Sequence, residues 1–104
     1  MKIIETENAP KAIGTYSQAV KVNGFLFISG QIPLDPSTME LVEGIENQIN
    51  QVFENINQIL KADGMDFSNV VKLSVLLEDL SHFEKVNEIM ASIFSKPYPA
   101  RAAY

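Results

Sequence analysis

The sequence predicts an α+β fold, with two helices packed on one face of a mixed sheet. Three observations predict it. Two β-prone runs joined by Asn23-Gly24 come early in the chain, two amphipathic helical patterns come later, and a third β-prone run, Val70 to Leu77, lies between the helices. With Ile3 and Ile4 as a short edge strand and "ARAAY" as the opening of a last strand, the predicted order is β-β-β-α-β-α-β.

The two early runs form a predicted hairpin. We expect strands near Ser17–Val22 and Phe25–Ser29. The Asn23-Gly24 pair between them tolerates positive φ at both central positions, as a type I′ turn requires.

The first helical pattern is apolar on one side only. Its apolar residues recur at helical spacings, at Ile45, Ile49, Val52, Phe53, Ile56, Ile59 and Leu60. The opposite face carries asparagine, glutamine and glutamate, so we expect a helix that lies on a sheet rather than one buried all round. Gly64 is the expected C-terminal stop.

The second helical pattern begins with a capping box, in which Ser81 and Glu84 form S-x-x-E. It ends before Pro97, which cannot continue a helix. Its apolar stripe is Phe83, Val86, Ile89, Met90, Ile93 and Phe94. If both helices cover one face of the sheet, the other face needs covering, and packing between identical subunits would provide that.

Composition limits the classes of function. The 104 residues fit one domain. A net charge of -5, a pI of about 4.7 and scattered cations argue against nucleic acid as a partner. The lack of cysteine excludes disulfides and thiolate metal sites. No apolar run approaches the ~20 residues that span a membrane, and "MKIIETENAP" has no signal-peptide core. We therefore expect a cytoplasmic protein without a membrane partner.

Arg101 is the first candidate site residue, because it is the only arginine beside seven lysines. It stands in "YPARAAY", among small apolar residues. A guanidinium can hold a carboxylate through two parallel hydrogen bonds, which lysine cannot do. The alternative is a structural ion pair with one of the thirteen acidic residues, and composition alone favours that interpretation.

The other candidates are individually weak. Ser29-Gly30 ends a strand, where glycine either lets a ligand approach the backbone or simply makes a turn. Tyr16 offers a hydroxyl and a stacking face, or packs in the core. Asn87 lies beside the apolar stripe of the second helix, and spacing does not decide whether it faces a cleft. His82 is the only histidine, so we interpret it as a solvated residue at a helix start.

Five segments, in order and spacing, resemble the RidA/YjgF/UK114 family: "APKAIGTYSQAV", "VNGFLFISGQIPLDP", "QVFENINQILKADG", "VVKLSVLLEDLSHFEKVNE" and "YPARAAY". The resemblance covers nearly the whole chain, and "ISGQIP" and "PAR" are its most specific parts. It implies a chorismate-mutase-like fold and homotrimers with ligand clefts between subunits. It also implies hydrolysis of 2-imino acids, such as 2-iminobutanoate and 2-iminopropanoate, or of their enamines, to 2-keto acids and ammonia. The resemblance implies no metal or organic cofactor.

The resemblance also implies which residues form the site. The positions of this chain that match the family's cleft are Tyr16, Ser29, Gly30, Asn87, Arg101 and Ala103. Arg101 matches the arginine that binds the substrate carboxylate, which replaces the ion-pair interpretation. Ala103 stands where many members have a cysteine, and its backbone can still contact a ligand.

Two departures from the family pattern are visible. Thr15 replaces the proline usual in "GPYSQA". Family members also continue after "PAR-x-x" to a last strand, whose glutamate positions the attacking water, and the sequence up to Tyr104 has no counterpart of it. The domain prediction is a single RidA/YjgF-like domain, 1–104, lacking the family's C-terminal strand.

Two alternatives to a deaminase remain open from the sequence. A non-catalytic module can use the same cleft to bind keto acids, and the unmatched glutamate favours it. An endoribonuclease or translation inhibitor is the other, as attributed to some family members, but the acidic pI and the lack of a basic stripe count against it.

Overall fold

The computed structural model describes all residues, Met1–Tyr104, and contains two compact units, Met1–Met65 and Asp66–Tyr104. The elements are β1 (Lys2–Ile4), β2 (Ala19–Val22), β3 (Phe25–Ile28), α1 (Ile45–Ala62), β4 (Lys72–Val75), α2 (Phe83–Ile93) and β5 (Ala100–Ala103). The α+β class and the predicted element order are confirmed. The strands lie in two sheets, where the sequence predicts one mixed sheet, because β3 pairs only with β2 and β4 pairs only with β5.

The sheet of the first unit is antiparallel, in the order β1-β2-β3. Asn23 and Gly24 join β2 to β3 with φ values of 51° and 81°. Positive φ at both positions is what the predicted type I′ turn requires, so the hairpin prediction is confirmed. The turn fixes the register, which pairs Ala19 with Ile28.

One face of this sheet forms the core of the first unit. Ile4 and Ala19, which are paired across β1 and β2, are buried with Ile59 of α1. Leu26 and Ile28 of β3 pack against them. The apolar stripe of α1 therefore covers the sheet, as its spacing predicts.

The opposite face of the same sheet is open and apolar. Side chains alternate along each strand, so this face carries Ile3, Val22, Phe25 and Phe27, which are between 39% and 61% exposed. The rings of Phe25 and Phe27 lie 6.5 Å apart. An open apolar face of this kind is characteristic of an association surface.

The polar side of α1 is not uniformly exposed. Asn55 is fully buried, with a relative exposure of 0%. Its Nδ2 donates to the carbonyl oxygens of Ile32 and Leu34 at 3.3 and 3.0 Å, and its Oδ1 accepts from Gln51 at 2.9 Å. The interpretation of this helix as polar on its whole far face is therefore wrong at Asn55, because a loop before the helix folds over that position.

The second unit contains a parallel pair, β4 and β5, in which Leu73 is paired with Arg101. Beside it lies α2, whose residues Val86, Ile89 and Met90 are buried. Edge-to-face contact between the rings of Phe67 and Phe94, 5.2 Å apart, adds to this packing.

The start of α2 differs from the prediction. The predicted capping box of Ser81 and Glu84 is wrong, because no side chain caps this helix and Phe83 is its first residue. A short 3₁₀ turn, Leu80–His82, precedes it, and the Asp79 carboxylate accepts from the N–H of Ser81 at 2.9 Å. The capping group therefore acts on the 3₁₀ turn instead, ahead of the predicted position.

Neither helix combines the length and the apolar character that crossing a bilayer demands.

Candidate functional site

Arg101 is the second residue of β5, and its side chain extends toward α2. Its Nη1 donates to Oδ1 of Asn87 and lies 3.6 Å from the sulfur of Met90. Its Cζ lies 4.6 Å from the centre of the Phe83 ring, which is cation–π distance. One helix thus supplies an amide, a thioether and an aromatic face to one guanidinium.

Arg101 makes no ion pair. The salt bridges of the structure join Lys21 to Asp63 and Lys85 to Glu88. No carboxylate of the chain therefore offsets the charge of the guanidinium, and the structural ion pair that composition favours is not formed.

The contacts of Arg101 leave one edge of the guanidinium free. Nη1 makes both polar contacts, and the structure gives Nε and Nη2 no protein acceptor. These two nitrogens form one side of the planar fork, and their N–H bonds can meet the two oxygens of a carboxylate. The free edge can therefore bind a carboxylate without first breaking a protein contact.

A half-open cleft of about 410 Å³ lies beside Arg101. Its lining residues are Asn87, Met90, Ala91, Tyr98, Pro99 and Arg101. The lining is about equally polar and apolar, with the Asn87 amide and the Arg101 guanidinium beside Met90, Ala91 and Pro99. Its volume suits a small ligand.

The structure brings some of the expected site residues together. Asn87 contacts Arg101 directly. Ala103 lies two residues further along β5, on the same face of the strand as Arg101, and is half-buried. These three expected residues all belong to the second unit.

The other expected residues, Tyr16, Ser29 and Gly30, belong to the first unit. Tyr16 is 53% exposed, and its hydroxyl accepts from the N–H of Ile13 at 3.2 Å. Ser29 donates from its hydroxyl to the carbonyl of Ser17 at 2.6 Å. A Cβ added to Gly30 would meet no atom within 4 Å, so the backbone there is open to approach.

Phe83 and Met90 were not expected at the site. Both belong to the apolar stripe of α2, and such a stripe predicts packing in the core. The spacing contains a usable signal: Phe83, Asn87 and Met90 stand at i, i+4 and i+7, on one side of a helix. Tyr98 and Pro99, which also line the cleft, lie just before β5, and no pattern in the sequence marks them as site residues.

No group of three histidine, aspartate or glutamate side chains lies close enough together to hold a metal ion.

The family model described as "Endoribonuclease L-PSP" matches residues 6–104. The chain belongs to this family. Within it, a 2-iminobutanoate/2-iminopropanoate deaminase of Mus musculus is 52% identical to this chain, over 99% of the chain and 77% of the relative.

Solved structures of the endoribonuclease L-PSP family have the same fold. The crystal structure of RidA from Psychrobacter sp. is 53% identical, covers all of this chain and is itself covered over 85%, with a TM-score of 0.96. Escherichia coli TdcF, solved with bound serine, is 36% identical, covers 100% of this chain and is covered over 84%, with a TM-score of 0.93. The fold predicted from the RidA/YjgF/UK114 resemblance is thereby confirmed.

Proposed function

We propose that this chain is a hydrolase that deaminates small 2-imino acids, such as 2-iminobutanoate and 2-iminopropanoate, or their enamine tautomers, to 2-keto acids and ammonia. The observation that carries the proposal is the single guanidinium beside a cleft, held only by neutral partners, with Nε and Nη2 free. Mammalian relatives of that name, at 50–52% identity, support the same activity.

Hydrolysis of an imine requires few protein groups. The substrate carboxylate binds the free edge of Arg101 through two charged hydrogen bonds. Water then adds to the carbon of the protonated imine, the carbon–nitrogen bond breaks, and nitrogen leaves as ammonium while the carbon keeps the oxygen as a ketone. No atom changes its overall oxidation level, so no redox partner is needed. Holding the imine carbon in a fixed place contributes much of the acceleration.

Asn87 is the second group that we assign to substrate binding. Its Oδ1 accepts from Arg101, while its Nδ2 has no protein acceptor. The amide can therefore fix the guanidinium and still donate to a ligand. Ala103 contributes its backbone from the same face of β5.

We assign Tyr16, Ser29 and Gly30 to the same cleft, as contributions of a neighbouring subunit. The support is the exposure of the Tyr16 ring and the open space at Gly30. A homotrimer fits this assignment, since the apolar face that carries Phe25 and Phe27 needs a cover.

The cytoplasm is the proposed place of action. The complete lack of cysteine supports it, because stabilising disulfides belong to oxidising compartments. Nucleic acid and membranes are not proposed as partners, in line with the net charge of -5.

The test is a trapping assay. Threonine dehydratase generates 2-iminobutanoate in situ, and semicarbazide traps the imine that survives. The chain is expected to lower semicarbazone formation, and Arg101→Ala to lose about 100-fold in kcat/KM, since charged hydrogen bonds to the carboxylate are lost. Lys72→Ala is the matched control, because it removes one positive charge from the exposed face of the same sheet.

Each alternative has its own outcome in the same experiment. Binding of 2-oxobutanoate without any reduction in trapping would contradict deamination and favour the carboxylate-binding module. RNA cleavage that survives Arg101→Ala and further purification would favour a ribonuclease.

A further inference from the structure

We propose that Phe83 is a positioning residue, which holds the Arg101 guanidinium so that its Nε/Nη2 edge faces the incoming carboxylate. The inference rests on the proposed function, since it concerns the same carboxylate site. Phe83 does not touch substrate in this proposal, and it acts through Arg101.

The contacts of Arg101 divide the guanidinium into a held part and a free part. The Arg101 Cζ atom lies over the Phe83 ring, 4.6 Å from the ring centre, while Asn87 and Met90 both contact Nη1. The contact with the ring restrains the position of Cζ, and the two contacts at Nη1 restrain the orientation of the guanidinium. The only edge without a protein partner is Nε/Nη2.

All three holding groups stand on one face of α2, at i, i+4 and i+7. The helix is anchored in its unit by the buried residues Val86 and Ile89. Phe83 is its first residue and follows directly from the 3₁₀ turn that Asp79 caps. The ring is therefore fixed by a rigid element, which is what precise placement of a functional group requires.

The chemistry of the holding groups preserves the charge of Arg101. An aspartate in the place of Phe83 would hold the guanidinium more strongly, but it would compete with the substrate carboxylate for the same donors. An aromatic face attracts the cation through its quadrupole and leaves every N–H bond available. Amide and thioether acceptors carry no net charge either. The guanidinium is thus oriented and remains a full cation.

The chain offers a direct reporter of this arrangement. Arg101 is the only arginine, so the arginine Nε–H region of a ¹H–¹⁵N correlation spectrum contains one signal, and its assignment needs no further work. A proton held over an aromatic face is shifted upfield by the ring current. The position of this signal therefore measures stacking, and its movement during a titration measures carboxylate binding.

Three variants separate the effect of the aromatic contact with Arg101 from the effect of side-chain size. Phe83→Leu removes the aromatic face and keeps an apolar side chain, Phe83→Tyr keeps the face, and Phe67→Leu makes the same change at a ring that packs on Phe94 in the same unit. Stacking at an exposed site is worth about two- to fivefold in affinity. We therefore expect Phe83→Leu to move the Nε–H signal to the position of free arginine and to weaken 2-oxobutanoate binding about two- to fivefold.

The kinetic expectation is a rise in KM with kcat nearly unchanged. The carboxylate is anchored equally in the ground state and the transition state, and loss of such uniform binding affects KM alone. Phe83→Tyr and Phe67→Leu are expected to retain the wild-type signal position, dissociation constant and KM.

The outcomes distinguish the two proposals. An upfield Nε–H signal that returns to the free position in Phe83→Leu, but does not respond to 2-oxobutanoate in either protein, would keep the stacking and overturn the carboxylate function. Equal dissociation constants for wild type and Phe83→Leu, with a clear response in both, would overturn the positioning role and leave the function standing. Equal weakening by Phe67→Leu would also overturn it, because that result signals general loss of structure.

Discussion

Replacing the buried Asn55 by alanine tests how the loop before α1 is held. The variant loses the two hydrogen bonds from Nδ2 to the carbonyls of Ile32 and Leu34 and the one that Oδ1 accepts from Gln51. The Ile32 carbonyl also accepts from the N–H of Leu34 at 2.8 Å, so it keeps one donor. Only the Leu34 carbonyl loses its single donor.

The expected cost follows from these contacts. Three net hydrogen bonds of about 1 kcal/mol each give about 3 kcal/mol. Alanine recovers roughly 0.5 kcal/mol through its higher helix propensity. The net loss for Asn55→Ala is therefore about 2–3 kcal/mol, a large part of the ~5–15 kcal/mol that stabilises a small domain.

Asn47→Ala is the matched control. Asn47 is exposed on the same helix, and its Nδ2 donates to the carbonyl of Glu43 at 3.1 Å. Asparagine is replaced by alanine on the same helix in both variants, so part of the helix-propensity term cancels when they are compared. We expect the control to lie within about 0.5 kcal/mol of wild type.

The measurement is urea unfolding followed by far-UV circular dichroism. Protein concentration is kept fixed, because association would make the midpoint depend on it. The m-value is expected to stay constant while the midpoint falls. A difference below about 1 kcal/mol between the unfolding free energies of Asn55→Ala and Asn47→Ala would refute the reasoning. It would mean that the hydrogen bonds of the buried amide contribute little to stability.

Three further predictions concern acid stability, the buried ion pair and association. The hydroxyl and then the N–H of Ser68 lower the pKa of Asp66, and the N–H and then the hydroxyl of Ser81 lower the pKa of Asp79. Both carboxylates therefore stabilise the fold above their ordinary pKa and lose this effect as the pH falls through their lower folded-state values. The Asp66→Asn/Asp79→Asn protein should show a smaller fall in melting temperature from pH 7 to pH 2.5 than wild type, and equal falls would contradict this. Lys21→Met should lower the free energy of unfolding, measured in urea, by about 2 kcal/mol. The reason is that the Asp63 side chain, which is only 6% exposed, loses the cation that lies 2.9 Å from it. An unchanged unfolding midpoint would show that the pair does not contribute to stability. Phe27→Lys places a charge on the open apolar face, so light scattering should find less than three times the 11.6 kDa chain mass; a trimeric mass would exclude that face from the interface.

The elements with local signals were predictable from sequence. Asn23-Gly24 specifies its turn through two φ values, and no distant residue is needed to set them. The stripes of α1 and α2 specify which helix faces are buried, since a period of 3.6 residues is a property of each helix alone.

The burial of Asn55 had no such local signal. An asparagine on the polar side of a helix is equally compatible with water and with a covering loop, and the choice depends on carbonyls more than twenty residues earlier in the chain. The predicted capping box fails for a related reason. Asp79 offers a carboxylate to the N–H of Ser81, and this competing local hydrogen bond forms the 3₁₀ turn ahead of α2.

The candidate site also combines a residue that the sequence singles out with contacts that only the fold shows. That Arg101 stands out was visible from composition, but its partners were not, and the thirteen acidic residues made an ion pair the natural expectation. The RidA/YjgF/UK114 resemblance supplied the carboxylate role. The contact with Phe83 could be found only from the fold, because periodicity assigns an aromatic residue in an apolar stripe to the core.

The neutral partners of Arg101 bear directly on the carboxylate-binding role that we propose for it. An arginine in a salt bridge would contribute to stability only modestly, and the same bridge would occupy the donors that a ligand needs. Arg101 instead rests on contacts that leave Nε and Nη2 without a protein partner: an aromatic ring under Cζ, and an amide and a sulfur at Nη1. In the proposed role no acidic partner has to be displaced, so we expect the free edge to meet a carboxylate without a prior rearrangement. We therefore propose that α2 preorganises the cation and that the bound carboxylate is the group that neutralises its charge.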